Sequence, residues 1–392
     1  MKTTSLSFLA FFNLSLGLVA QNVTIPDTVF KAYLLGETSL NLNLDNEIQI
    51  TEAAAFTGTI NCGGKGISDL TGIASFTATT ELRCDYNNLT TLDVSKNTAL
   101  VELRCNNNML TSINLPTSSA LTNLSCWENK LVDLDISQNP NLGYLSCEDN
   151  QISSMDVSNN FELYSLTCGR NEITSINFGN INKIRWLKCP GNKLINLDVS
   201  KQIPLGTLIC YDNNLDSLDL KNNMGIDHLE CSSNNIKSLD LSGMPYLTLL
   251  DCGLNKLTSL NLKNGENTNI ETYASWFNPN LTCIQVDDPA YSTANWIAVD
   301  TVSTFSANCS GTIGVSTISN SPLRVYPNPT TNSLHVNIRG IKKVKILDLR
   351  GGVVKVIGVK SNNINVSDLA PGSYLIQVIT ENKMFHSSFV KQ

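Results

Sequence analysis

The chain has 392 residues, room for two or three domains, and a hydrophobic content of 42% that is adequate for burial. Charged residues are sparse at 16%, and a net charge of -7 with a pI near 5.1 argues against nucleic acid or an anionic membrane surface as partner. Twelve cysteines would ordinarily suggest disulfides or metal, so their spacing has to decide between cross-links and packing.

Residues 1–20 read as a signal peptide. Lys2 supplies a short positive start, and Leu6 to Val19 is an apolar run too short and interrupted to span a membrane. Cleavage falls after Ala20, although Leu18 is larger than the small residue usual two places earlier. The mature chain is therefore expected outside the cytoplasm. No later stretch is apolar enough to cross a membrane.

Residues 21–59 form an N-terminal cap. Asp27 is placed to cap a short helix over 28–35, with Val29, Phe30, Tyr33 and Leu34 on its apolar side. The stretch Asn41 to Glu52 then has the layout of a twelve-residue EF-hand-type calcium loop. Asn41, Asn43, Asp45 and Glu47 stand at positions one, three, five and seven, an apolar Ile48 at eight and Glu52 at twelve. Asparagine replaces aspartate at positions one and three, and Asn46 replaces the turn glycine, so fewer negative ligands are offered. The loop reads either as a weak calcium site or as a polar connection into the next domain.

From Ile60 a repeat begins imperfectly. Cys62 is followed by Gly63, Gly64 and Lys65 where later units carry asparagine, and residues 67–76 fit the rest of an atypical first unit. Nine cysteines then fall at a constant spacing of 21 residues: Cys84, Cys105, Cys126, Cys147, Cys168, Cys189, Cys210, Cys231 and Cys252. Each has a leucine two residues before it (Leu82 to Leu250) and an asparagine three residues after it (Asn87 to Asn255). The unit L-x-x-L-x-C-x-x-N-x-L-x-x-L-x-L resembles the leucine-rich repeat family, with cysteine in the last leucine slot of the strand motif.

Elementary physics points the same way. Leu103 and Cys105 alternate with Glu102, Arg104 and Asn106, which is strand periodicity. One short strand per coil, stacked on its neighbours, gives a parallel sheet, and the asparagine is placed to satisfy backbone groups of adjacent coils. A second alternation comes later in each unit, in Leu92 to Val94, Leu134 to Ile136, Leu197 to Val199 and Leu239 to Leu241, often with serine next. Two facing parallel sheets in a thin, strand-rich solenoid over residues 60–282 are predicted. Coils lie about 4.8 Å apart with equivalent side chains parallel, whereas disulfide Cβ atoms approach to about 3.5–4.5 Å and zinc needs converging ligands. The ladder cysteines are therefore read as small buried thiols.

Function, on this reading, lies beside the core positions. Arg83, Arg104, Trp127, Tyr144, Trp186, Lys188, Tyr211, His228 and Glu230 point outward from the first strand. Trp127 and Tyr144 are expected to be close, with Trp186 and Tyr211 as a second pair. Arg104, Trp127, Tyr144, Trp186, Tyr211 and His228 form the candidate partner surface, suited to a protein or a glycan; the alternative is that they merely cover the sheet.

Residues 283–309 should seal the open end of the solenoid. Cys283 and Cys309 have no periodic counterpart and are the expected disulfide in an oxidising compartment. Residues 310–321 read as a flexible linker. In residues 322–392, strand-like runs at 334–338, 344–348, 353–359, 364–366, 374–379 and 384–390 predict a small antiparallel sandwich. Val325 to Thr330 (VYPNPT), Leu347 to Gly351 (LDLRG), Leu369 to Tyr374 (LAPGSY) and the closing Phe389 to Gln392 appear in order. This segment resembles the C-terminal sorting domain of the type IX secretion system. The resemblance implies export across a bacterial outer membrane of the Bacteroidetes kind, interaction with the secretion machinery, and removal of the domain with release or surface attachment.

No catalytic constellation emerges. His228, His335 and His386 lack partners at metal-ligand spacing, and neither a nucleophile elbow nor a phosphate-cradling glycine loop occurs. The row Asp93, Asp135, Asp156, Asp198, Asp219 and Asp240 is interrupted by Asn114, Asn177 and Asn261, which weakens a regular cation scheme. The fold class is thus mainly β: a leucine-rich-repeat solenoid with parallel sheets plus a C-terminal antiparallel β-sandwich. The expected function is non-enzymatic binding at the cell surface or after secretion. The alternatives are a passive spacer, or an enzyme with an unrecognised site.

Overall fold

No coil of 21 residues can cover its own leucines, so each depends on the coils above and below. The structure, a computed structural model, describes residues 21–309 and 323–392, apart from 339, 350, 359–361 and 381–383. The expected signal peptide and the expected linker lie outside the described residues. Among the described residues eleven strands, from Thr59–Asn61 to Thr272–Ala274, form one parallel sheet in strict chain order. Register never slips: Leu82 pairs with Leu103 and Leu103 with Leu124. The middle residue of each strand is buried and its neighbours are exposed or half-buried, except Ser146 and Ser165, which are also buried.

The opposite side is less regular than the sequence pattern suggests. Among the described residues its strands fall into three pieces: Thr91–Asp93 with Ser112–Asn114, Met155–Asp156 with Ile176–Asn177, and four strands from Ser238–Asp240 to Thr304–Ser306. Leu134 to Ile136 and Leu197 to Val199 carry no strand. Their apolar residues still point into the core, so burial persists where the ladder does not. The Asp row caps this side. Oδ1 of Asp93, Asp135, Asp156, Asp198, Asp219 and Asp240 accepts the backbone N–H two residues on. Hydrogen bonds from the serine two residues on hold Asp135, Asp156 and Asp198 below the usual carboxylate range.

Asparagine amides tie the coils together. The Nδ2 of Asn108 donates to Cys84 O at 3.0 Å in the preceding coil and to Cys105 O at 3.1 Å in its own. Its Oδ1 accepts the Leu89 N–H at 3.0 Å. The same set recurs at Asn129, Asn150, Asn171, Asn192, Asn213, Asn234 and Asn255. A second amide ladder, which the sequence pattern does not single out, runs along the other side. Asn97, Asn139, Asn160, Gln202 and Asn223 are buried and donate to carbonyls of the preceding coil.

Ten cysteines, Cys62 included, are free and buried. Their backbone N–H groups extend the sheet past its three-residue strands, as in Cys105 N to Ser125 O at 2.8 Å. Burial pushes the thiols up, Cys126 and Cys189 to about 12.

Both solenoid ends are closed. Asp27 caps the helix Thr28–Gly36 and also accepts from the Ser68 N–H, fastening the helix to the first coil. At the other end Trp296 stacks on Tyr273, ring centres 4.5 Å apart, and meets Phe305 edge-on. Cys283 and Cys309 are disulfide-bonded with Cα atoms 5.8 Å apart. The C-terminal domain pairs a three-stranded sheet (Val325–Tyr326, Ser333–Val336, Asn363–Asn365) with a four-stranded one (Val353–Gly358, Lys343–Leu347, Gly372–Ile379, Met384–Lys391). All these pairings are antiparallel, around a core that includes Leu334, Ile346, Ile364 and Ile376.

An alkylating reagent should leave the ten ladder thiols unmodified in the folded protein and modify all ten in denaturant without reductant; mass spectrometry reads the count. Asn171→Ala strips Cys147 O, Cys168 O and the Ile152 N–H of their amide partner. It should cost about 3 kcal/mol in urea unfolding, since each buried polar group left unpaired costs about 1–3 kcal/mol.

Candidate partner-binding face

The outward columns begin where each strand ends. Two residues past the ladder position the backbone turns left-handed: Tyr86, Asn107, Glu128, Asp149, Arg170, Asp212, Ser233, Leu254 and Phe277 have φ between 51° and 57°. Such a turn costs a non-glycine residue roughly 1–2 kcal/mol. Gly64 and Gly191 occupy this column without that cost. The turn persists because backbone bonds from both neighbouring coils and the asparagine amide hold it. Its consequence is a side chain thrust outward at the rim of the sheet in nearly every coil.

Four rings converge at the N-terminal half of this face. Tyr86 and Trp127 meet edge-to-face, 6.5 Å between centres, across the small Asn106 of the coil between them. Tyr144 and Tyr164 complete the walls of an open groove of about 500 Å³. Its floor is polar: Ser125 Oγ donates to Asn106 Oδ1, and Glu102 is paired with Arg104 on the same strand. Tyr164 lies back over Gly143, where an added Cβ would stand 2.9 Å from its ring. Trp186 then meets Tyr164 edge-on, 6.0 Å between centres, extending the aromatic strip by one coil.

Of the residues expected from sequence, Arg104, Trp127 and Tyr144 therefore share one groove and Trp186 adjoins it. The ring partners differ from those expected. Trp127 meets Tyr86 rather than Tyr144, and Trp186 meets Tyr164 rather than Tyr211. Trp127 lies past the strand end, in the turn, so it leans along the rim instead of standing beside Tyr144 on the sheet. Tyr211 and His228 lie farther along the face; His228 Nε2 is 2.6 Å from Glu230 Oε1 and outside the groove. Tyr86 and Tyr164 sit outside the alternating strand positions, so strand periodicity does not point to them. Their signal is in the 21-residue frame, two places after Cys84 and two before Leu166.

Residues 324–392 match the family described as "Secretion system C-terminal sorting domain". Among solved structures, the functional domain of InlJ from Listeria monocytogenes, described as including a cysteine ladder, aligns over 95% of this chain and 98% of its own, with 24% identity and a TM-score of 0.58. A leucine-rich-repeat protein of Leptospira interrogans covers 63% of this chain and 78% of its own, at 18% identity and a TM-score of 0.45. An internalin, inlF, of Listeria monocytogenes covers 70% of this chain and 99% of its own, at 18% identity and a TM-score of 0.42. The likeness to the InlJ domain is one of fold: a leucine-rich-repeat solenoid with a cysteine ladder. No curated protein matches the chain in sequence. The sorting domain directs the protein through type IX secretion to the cell surface or the medium. Among the described residues no helix is long and apolar enough to cross a membrane.

The Asn41 to Glu52 loop gathers its residues differently from a cation cage. Asp45 Oδ1 accepts the Glu47 N–H at 2.7 Å, and its Oδ2 accepts from Asn43 Nδ2 and Gln49 Nε2. Glu52 Oε1 accepts the Leu42 and Asn43 N–H groups and Oε2 the Gln49 N–H, capping the helix Ile50–Ala55. Asn41 is buried and donates to Leu35 O and Asp45 O, while Glu47 pairs with Lys31 at 2.7 Å. Among the described residues no three His, Cys, Asp or Glu side chains gather as metal ligands. The Asp45 and Glu52 carboxylates are thus engaged by N–H donors that a calcium ion would have to displace, while Asn41 Oδ1 is buried with no hydrogen-bond partner. Millimolar calcium should leave the melting temperature within about 1 °C of that in chelator, a shift equivalent to well under 1 kcal/mol. A clear rise in differential scanning calorimetry would show that the ion displaces these donors.

Proposed function

We propose that this exported leucine-rich-repeat protein binds a protein or glycan partner through the groove between Tyr86, Trp127, Tyr144 and Tyr164, and performs no catalysis there. The observation that carries the reading is the ring cluster itself. Four aromatic side chains meet at a surface where the fold requires none, and Tyr86 is 57% exposed. Core positions repeat because every coil needs them; these columns do not repeat, so packing does not explain their identity. Rings beside a polar floor supply apolar contact and fixed hydrogen-bonding groups together, which suits recognition. The ladder thiols are buried, which keeps them protonated.

The test needs a ligand, sought by glycan array and by affinity capture with the exported chain. Trp127→Ala and Tyr86→Ala should each weaken binding by about 10- to 100-fold, as for a buried interface anchor. The melting temperature should not change. Tyr246→Ala, an exposed ring elsewhere, should bind as wild type. Unaltered affinity in both groove variants would reject the site, and blank array and capture experiments would favour a passive spacer.

A further inference from the structure

The last coil repeats the chemistry of the groove. Ser275 takes the cysteine slot, because Asn278 stands three residues later and donates to Cys252 O and Ser275 O as the ladder asparagines do. Trp276 therefore stands in the column of Trp127, and Phe277, with φ 57°, in that of Tyr86. Seven coils separate the two tryptophans, roughly 34 Å at about 4.8 Å per coil. Yet Trp276 is only 8% exposed, against 44% for Trp186 on the same face.

The sorting domain covers it. Leu347 and Leu375 form one apolar cluster with Trp276, flanked by Leu254 and Phe277. The His386 ring lies 5.2 Å from Trp276 and 5.8 Å from Phe277, centre to centre. Ser233 Oγ donates to Leu349 O at 3.4 Å. Within the solenoid the Trp276 ring lies against Gly253, where a Cβ would stand 2.9 Å from it. The sorting domain is shaped for the contact. Ile346 and Ile376 belong to its own core, whereas Leu347 and Leu375, the next residue on one side or the other, do not. An antiparallel sheet commonly leaves its second face to water; here that face carries leucines, buried against Trp276. Burial holds His386 far below the usual histidine range, at about 4, so a neutral ring packs there.

We infer that in the intact chain the sorting domain is docked as a cover over a second aromatic subsite, Trp276 with Phe277, which opens when the domain leaves. That a partner then uses this subsite rests on the proposed function; the cover itself does not. Hydroxyl-radical footprinting of the full chain separates the two. In wild type, Trp276 should be oxidised at least about fivefold more slowly than Trp186. Leu375→Asp should bring Trp276 to within about twofold of Trp186 while Trp296, under the C-terminal cap, stays protected. Trp276→Ser, which leaves the sorting domain's own core untouched, should instead raise oxidation of His386. The dye bis-ANS should gain one site per chain in Leu375→Asp and lose it in the double variant with Trp276→Ser. Trp276 reacting as fast as Trp186 in wild type, or His386 unchanged in Trp276→Ser, would overturn the inference whatever the groove binds.

Discussion

A stacked coil must satisfy its backbone at the turn, where the sheet ends and the next segment leaves at an angle. One carboxamide per coil does this. Its two N–H bonds reach carbonyls of two successive coils, and its oxygen takes an N–H that would otherwise be buried and unpaired. A carboxamide carries two N–H donors and a carbonyl acceptor in one small planar group. The amide also fixes the height of each coil on the next, so register cannot slip without breaking the whole row. Everything else in the solenoid, from the buried leucines to the outward columns, inherits its position from that row.

The cysteines obey the same geometry. A coil turned this tightly leaves a narrow interior near the asparagine, and a thiol fills it as a small apolar group. Parallel side chains on stacked strands are held apart by the hydrogen-bonding distance, so no pair closes into a disulfide. Cys283 and Cys309 escape that constraint because they are not equivalent positions of successive coils: Cys283 pairs in register with Thr304, and Cys309 lies beyond the end of that parallel strand. Chemistry and packing are thus divided by position, although the residue type is the same.

The turn beside the asparagine gives the solenoid its outward rim. A left-handed residue in nearly every coil projects a side chain at the rim, and its identity is free because the backbone is already held. At one end of this rim Tyr86 and Trp127 line an open groove. At the other, Trp276 and Phe277 lie beneath the sorting domain. The sorting domain and this end of the rim are therefore in physical contact.

The 21-residue period by itself determined the solenoid, the burial of the ladder thiols and the role of the ladder asparagines. Such features repeat, and repetition makes a local requirement visible without coordinates. The ordered motifs near the C-terminus likewise identified the sorting domain, because they belong to one contiguous segment. What the period hid was decided in three dimensions. The second amide ladder at Asn97, Asn139, Asn160, Gln202 and Asn223 is irregular in residue type, so it left no clean pattern. The Asn41 to Glu52 loop had the composition of a cation site, but only the fold showed its carboxylates turned to N–H donors. Trp127 found Tyr86 instead of Tyr144 because partners in a turn are set by lean along the rim, not by strand alternation. The contact of Trp276 with Leu375 and His386 joins residues about a hundred positions apart on separate domains. No spacing rule carries that information; it exists only once both surfaces are built.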